Sequence, residues 1–571
     1  MSTSIERAKL WLSDAYDAET KKAVQDLIDN NPTELDDSFY RDLEFGTGGM
    51  RGIMGVGTNR LNKYTLGAAT QGLSNYLIEQ FPNKEKSVAI AYDVRHNSDT
   101  FAKTVADVLT ANGIKVYLFE SFRPTPELSF TVRHLGCDAG IVLTASHNPP
   151  IYNGYKVYWN DGAQIVPPHD KAIITEVGNV KVEEIKFEGN DNLITYIGTE
   201  IDEAFIDAAV ENGSFTQEGK EGVKIVFTSI HGTAVAITPK AFEKAGFTQV
   251  HQVAEQAIPS GDFPTVKSPN PEEPEALTMA VNLANEIDAD IVIGTDPDAD
   301  RVGVAARNTE GEMVLLNGNQ MNTVLTYYLL EKWQEAGKLL GKEFIGSTIV
   351  TSDIFYDIAT KFDVDCKVGL TGFKWIADMI RNFEGKEKFI GGGEESFGFM
   401  VGDFIRDKDS VTSALLVSEV AAVEKAKGSS IYQKLVDIYI GIGKAYQEDL
   451  ISIVKPGKEG AELIANMMVD FRANPPKELA GSPVVRVKDF QSSIEKDLIS
   501  GEEKSIDVPK SNVLIFYTED GSKVACRPSG TEPKIKYYFS VNAPLVDKDE
   551  YKAVQEVLLA KIDQLKVDFN K

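Results

Sequence analysis

The sequence predicts an α/β protein: three related mixed α/β domains with helix-covered sheets, followed by a C-terminal α+β domain. Three observations predict it. A chain of 571 residues holds about four domains at roughly 150 residues each. Three stretches repeat one pattern of strand, polar loop, helix and strand, and the C-terminal stretch breaks that pattern with an antiparallel hairpin.

In chain order, Leu10, Trp11, Ala15, Val24, Leu27 and Ile28 recur at helical spacing until Asn30-Asn31-Pro32, where the helical preface is expected to stop. Phe45-Gly46-Thr47-Gly48-Gly49-Met50-Arg51-Gly52 then sets Arg51 in a glycine-rich loop. The first repeat has a strand at 88–92, a polar loop from Asp93 to Asp99, a helix with Phe101, Val105, Val108 and Leu109 on one face, and a strand at 116–119. The second runs from Ile225-Val226-Phe227 through His231-Gly232-Thr233 to a short helix with Ala241 and Phe242, then a strand near Val250. In the third, Ile349-Val350 leads to a helix bearing Ile354, Ile358 and Phe362, then a strand around Val368. Such units imply parallel strands whose carboxyl ends carry the ligand loops. The last domain pairs Val513-Leu514-Ile515-Phe516-Tyr517 with Val524-Ala525-Cys526 across Glu519-Asp520-Gly521, then adds a strand at 535–541 and a closing helix. The expected boundaries are 1–205, 206–318, 319–440 and 441–571.

With 42% hydrophobic and 25% charged residues the chain fits neither a disordered polymer nor a fibrous repeat. Its net charge of −27 repels phosphate backbones and anionic lipid, so nucleic-acid and membrane-surface binding are not expected, and any site for a phosphorylated small molecule must be locally basic. Cys137, Cys366 and Cys526 lie far apart with no CxxC pair, which argues against a disulfide framework or thiolate zinc site and for a reducing cytoplasm. No leader peptide or membrane span is expected, because no apolar run is long enough.

Four loops carry candidate chemistry. Leu143-Thr144-Ala145-Ser146-His147-Asn148-Pro149-Pro150 follows an apolar strand and ends in two prolines, so Ser146 sits on a stiff loop. A hydrolytic triad fits poorly, since the G-x-S-x-G elbow is missing and adjacent side chains seldom point at one another. Thr295-Asp296-Pro297-Asp298-Ala299-Asp300-Arg301 follows a buried strand, and aspartates at i, i+2 and i+4 can converge on a hard cation such as Mg²⁺. An EF-hand is excluded, because Arg301 and Arg307 stand where it needs Gly and Glu. Gly391-Gly392-Gly393-Glu394-Glu395-Ser396 offers acceptors suited to sugar hydroxyls. Arg527-Pro528-Ser529-Gly530-Thr531-Glu532-Pro533-Lys534-Ile535-Lys536 combines a guanidinium, hydroxyls, open backbone and ammoniums, which fits a phosphate dianion.

TASHNP, DPDADR, GEES and RPSGTEPK, in that order and at that wide spacing, resemble the α-D-phosphohexomutase superfamily, closest to its phosphoglucomutase/phosphomannomutase family. The resemblance covers essentially the whole chain and implies four domains, heart-shaped around a central cleft. It implies an intramolecular phosphotransferase (an isomerase) that exchanges glucose 1-phosphate and glucose 6-phosphate through a phosphoserine and a glucose 1,6-bisphosphate intermediate, the bisphosphate also serving as activator. By resemblance Ser146 is the phosphoserine, and Asp296, Asp298 and Asp300 with Ser146 hold Mg²⁺. Arg51, His147, Lys156 and Lys408 match catalytic positions, with Lys408 the acid/base candidate. Thr371, Gly372, Glu394 and Ser396 match sugar contacts, Arg301 a substrate contact, and Arg527, Ser529, Gly530, Thr531 and Lys536 the phosphate pocket. The partners it implies are small sugar phosphates, for a monomer or small homo-oligomer. Phosphomannomutase and phosphopentomutase activities remain open alternatives. An aspartate phosphatase would need no second phosphate pocket, and a non-catalytic sugar-binding relative would not keep both Ser146 and the aspartates.

Overall fold

The computed structural model describes residues 3–46, 48–455, 457–529 and 534–569, without the side chains of 457 and 458. The N-terminal preface is three helices, Ser4–Leu10, Ala18–Asn30 and Pro32–Phe39. The helical pattern was expected to stop at Asn30-Asn31-Pro32. It instead restarts there, because Pro32 occupies the first turn, where a missing N–H costs nothing, and Asn31 caps Glu34 N.

The first sheet has six strands in the order Gly49–Ile53, Tyr152–Trp159, Ala139–Leu143, Ser87–Tyr92, Lys115–Phe119 and Ile194–Ile197. The last four of these run parallel and the first two add antiparallel. The helix Ser98–Ala111 buries Phe101, Val105, Val108 and Leu109, the face read from the sequence. The second sheet joins Ile291–Thr295, Ile225–Thr228 and Val250–Gln252 in parallel and continues antiparallel through Val302–Arg307 and Met313–Leu316. In the third, Glu343–Thr348 lies parallel between Asp365–Gly369 and Lys388–Glu394, and Gly398–Val401 closes the edge antiparallel. Its opening strand ends at Thr348, so Ile349-Val350 belongs to the following turn, where both side chains are buried against Val513, Ile515 and Tyr517 of the last sheet.

Each of these sheets is thus a parallel centre with an antiparallel edge, since a short return loop after the last strand leaves no room for a crossover helix. The fourth sheet is antiparallel. It is built on the long pair Lys444–Val454 and Lys534–Pro544, the hairpin Leu514–Thr518 with Lys523–Pro528, and Ser482–Asp489, and the closing helix Tyr551–Phe569 packs on it. No helix among the described residues is long and apolar enough to cross a membrane. The carboxyl ends of the central parallel strands in the first three sheets, together with one end of the fourth, face a common cleft of about 570 Å³.

Candidate active site

Ser146 follows the fully buried strand Ala139–Leu143 and has a left-handed backbone, φ 50°. A residue with a Cβ adopts this region at a cost, which must be offset by surrounding bonds. Ser146 N donates to Thr144 Oγ1 at 2.8 Å. Arg95, whose guanidinium is buried, donates to the carbonyls of Ser146 at 2.6 Å, Pro149 at 2.8 Å and Tyr152 at 3.0 Å, and to that of Asn148. Gly154 closes the loop from beneath, since a Cβ there would lie 2.4 Å from Thr144 O.

The turn brings Ser146 Oγ to Asp296 Oδ2, to which it donates at 2.8 Å, and to His147 Nδ1, 3.1 Å away. The expectation that adjacent serine and histidine side chains point apart fails, because the left-handed turn rotates one toward the other. Burial, with the Arg301 and Arg51 cations nearby, holds His147 well below its ordinary value, so its imidazole is neutral. Arg51 pairs in register with Gly154 and donates from Nη1 to Asn148 Oδ1 at 3.0 Å.

The second loop leaves the strand Ile291–Thr295. Asp296 Oδ1 accepts from the backbone N–H groups of Asp300 and Arg301, each at 3.0 Å, and Ala299 is left-handed at φ 55°. This winds three buried carboxylates together, each offering an oxygen within 4.8 Å of the others. Burial and then repulsion from Asp298 and Asp300 push the Asp296 carboxyl well up. Asp298 Oδ1 and Asp300 Oδ1 are buried without a hydrogen-bond partner. Orphaned oxygens on converging carboxylates, beside a serine hydroxyl, are the donor set a divalent oxygen-loving cation requires, so these residues fit Mg²⁺.

Lys156 Nζ lies 2.8 Å from Asp298 Oδ2 and 3.5 Å from Asp300 Oδ2. Lys408 Nζ lies 2.8 Å from Asp300 Oδ2. Burial alone would depress both ammoniums, but the aspartates outweigh it and raise both, so each stays charged.

The third and fourth loops line the cleft with Glu394, Ser396, Thr371, Gly372, Arg527 and Lys536, while His147 and Arg301 mark its end near Ser146. Burial pushes Glu394 up to about 7, against the pull of Lys408. Thr371 Oγ1 is buried without a hydrogen-bond partner, and Gly372 takes φ 109°, a left-handed value that a side chain would strain. Arg527 pairs in register with Lys536 and donates to the Tyr538 hydroxyl at 3.4 Å. Ser529 N donates to Lys534 O at 2.8 Å, and Gly530 and Thr531 lie outside the described residues.

The sequence reading did not single out Arg95 or Glu272. Arg95 stood in a polar loop that could have been no more than a connector. Glu272, in a proline-rich stretch with no periodicity, pairs with Arg301 Nη1 and lines the cleft. The Asp93-x-Arg95 spacing after a strand end was the one available signal, since Asp93 Oδ1 accepts from Arg95 N at 2.9 Å.

Residues 42–183, 203–311 and 317–439 match α/β/α domains I, II and III of the phosphoglucomutase/phosphomannomutase family. A phosphoglucomutase of Staphylococcus epidermidis is 38% identical over 532 residues, 92% of this chain and 95% of the relative. The chain belongs to the phosphoglucomutase/phosphomannomutase family. A Staphylococcus aureus phosphoglucomutase is likewise 38% identical over 543 residues, covering 94% of this family member and 96% of the relative. Among solved structures, a family protein from Burkholderia thailandensis superposes with a TM-score of 0.64 at 18% identity over 91% of this chain and 97% of that one. The open form of the Paramecium phosphoglucomutase parafusin superposes at 0.65 and 17% identity, over 92% and 95%. These two likenesses concern the fold.

Proposed function

We propose that this chain is a phosphoglucomutase, exchanging α-D-glucose 1-phosphate and glucose 6-phosphate through a phosphoserine at Ser146 and a glucose 1,6-bisphosphate intermediate, in a reducing cytoplasm. The observation that carries the reading is the Ser146 Oγ to Asp296 Oδ2 contact of 2.8 Å, beside a cleft that His147, Arg301, Arg527 and Lys536 line. A nucleophilic hydroxyl among converging carboxylates, with separate basic residues on the lining of the same cleft, suits a substrate carrying one phosphate to be transferred and one to be held. The curated relatives named above support glucose as the sugar.

In this reading the residues divide the work. Ser146 Oγ carries the phosphoryl group, and when it takes that group back its proton has an acceptor at hand in Asp296 Oδ2, with His147 Nδ1 3.1 Å from the same oxygen. Asp296, Asp298 and Asp300 would hold Mg²⁺, which when bound neutralises them and stabilises charge on the phosphoryl oxygens. Arg51, Lys156 and Arg301 add positive charge around the transfer centre. Lys408, held as an ammonium, serves as a proton donor to an oxygen of the sugar. Glu394 and Ser396, with Thr371 and Gly372, contact sugar hydroxyls. Arg527, Ser529 and Lys536, with Gly530 and Thr531, hold the phosphate that is not transferred, and the bisphosphate turns over between the two positions.

The test is a coupled assay with catalytic glucose 1,6-bisphosphate, comparing the 1-phosphates of glucose, mannose and a pentose. Glucose 1-phosphate should show the highest kcat/KM. Equal or faster turnover of mannose or pentose phosphates overturns the glucose assignment, and net release of inorganic phosphate at comparable rates overturns the mutase reading.

A further inference from the structure

The metal loop is gripped from the first α/β unit by the segment that opens the helix Thr125–His134. Thr125 is fully buried, and Pro124 and Pro126 stiffen the backbone on either side of it. As the first helical residue its N–H has no partner within the helix, and it donates instead to Asp298 O at 2.9 Å. Its hydroxyl donates to Asp298 Oδ2 at 3.0 Å. Two residues earlier, Arg123 is locked by a buried bidentate pair to Asp202, at 2.7 and 3.0 Å, and its N–H donates to Tyr92 O at 3.0 Å. The segment is therefore a rigid bracket between the first sheet and Asp298.

The consequence lies in which Asp298 oxygen is taken. Oδ2 accepts from Thr125 Oγ1 and from Lys156 Nζ at 2.8 Å, while Oδ1 is buried with no hydrogen-bond partner. Lys156 ends a flexible stem and can follow the carboxylate if it turns, whereas Thr125 cannot. We infer that Thr125 is a positioning residue: its hydroxyl fixes the Asp298 carboxylate so that Oδ1 is presented to the cation. This inference rests on the metal role proposed for the three aspartates. Groups that hydrogen-bond a ligating carboxylate commonly change metal affinity by about 10–100-fold when removed.

Thr125→Val keeps the size and branching of the side chain and keeps the backbone N–H to Asp298 O, so it removes the hydroxyl alone. The measurement is direct Mn²⁺ binding to the full chain by electron paramagnetic resonance, alongside kcat and KM for glucose 1-phosphate at varied Mg²⁺. The expected result is a Mn²⁺ dissociation constant raised about tenfold or more, a kcat deficit that shrinks at high Mg²⁺, a KM within about twofold of wild type, and recovery in Thr125→Ser. Wild-type Mn²⁺ affinity in Thr125→Val overturns the inference, and so does a Thr125→Ser variant as weak as the valine one, because side-chain shape would then be what matters. If Thr125→Val fails to fold, Thr125→Ala, which adds no atoms at the site, carries the same comparison. Absence of Mn²⁺ binding by the wild type would overturn the metal reading itself, and this inference with it.

Discussion

Ser146 Oγ donates to Asp296 Oδ2 at 2.8 Å, although the two residues stand 150 positions apart. The contact joins the carboxyl end of a parallel strand in the first sheet to the carboxyl end of one in the second, so the serine hydroxyl and the carboxylates are assembled by the meeting of two units. Ser146→Ala should abolish turnover and leave sugar-phosphate binding and thermal stability largely intact, because the proposed mechanism makes the hydroxyl the carrier. Intact-mass analysis of the wild type should show a phosphorylated fraction that the variant lacks. Near-normal activity in the variant would falsify the phosphoserine role.

Exhaustive chelation should silence the enzyme, and Asp298→Asn should lower kcat by about 100-fold or more, since it removes one of the charges proposed to hold the cation. Activity that survives chelation undiminished removes the metal from the mechanism.

Arg527→Ala should act mainly on binding. Losing the charge-assisted contact proposed between Arg527 and the held phosphate is worth about 2–4 kcal/mol. Most of it should appear as a raised KM, with greater dependence on added glucose 1,6-bisphosphate, because the same pocket must retain the intermediate. An unchanged KM moves the phosphate pocket elsewhere, with Lys534 and Lys536 next to test.

Arg95→Lys should lower kcat by roughly 10–100-fold with a smaller effect on KM. A lysine cannot span the four carbonyls that the guanidinium fork bridges, so the left-handed turn at Ser146 loses its support. Wild-type kinetics in this variant would show that the turn holds by itself.

Glu448 gives a pH prediction. It lies buried on the strand Lys444–Val454, near Ser352 and Asp353 of the third unit and Lys523 of the fourth, and burial pushes its carboxyl up to about 7 against the hydrogen bonds from Ser352 and Ser540. A raised folded value means that the native state binds the proton more tightly than the unfolded chain does. The stability it contributes is therefore complete below about 4.5 and is lost as pH rises through about 7. At full ionisation the loss is about 3 kcal/mol. Glu448→Gln should flatten that part of the pH–stability curve, as followed by denaturant melts between pH 5 and 8. An unaltered slope assigns the effect to another group.

Much of the site was legible because it is local. Three aspartates at alternate positions after a buried strand converge through the winding of one loop, whatever lies opposite. Ser146 between an apolar strand and two prolines, and the cluster of guanidinium, hydroxyl and ammonium groups from Arg527 to Lys536, are likewise readable from residues close in the chain. The strand and helix pattern of the three units was legible for the same reason, since the apolar spacing of the helix Ser98–Ala111 names its own buried face. The restart of helix at Pro32 was missed because the same proline both stops and starts helices, and the cap at Asn31 decides between them.

What the tertiary structure alone decided is every pairing between loops distant in the chain, whether within one unit or across two. Nothing near Arg95 in the chain reveals that its guanidinium will meet the carbonyls around Ser146, or near Thr125 that its hydroxyl will meet Asp298. Glu272 on Arg301 and Lys408 on Asp300 belong with them. Such contacts depend on where strand ends come together, neighbouring ones in one sheet for Arg95 and ones from separate sheets for Thr125 and Lys408, and that is set by sheet order and the packing of whole domains, so the sequence determined which groups reach the cleft and the packing determined what each one touches there.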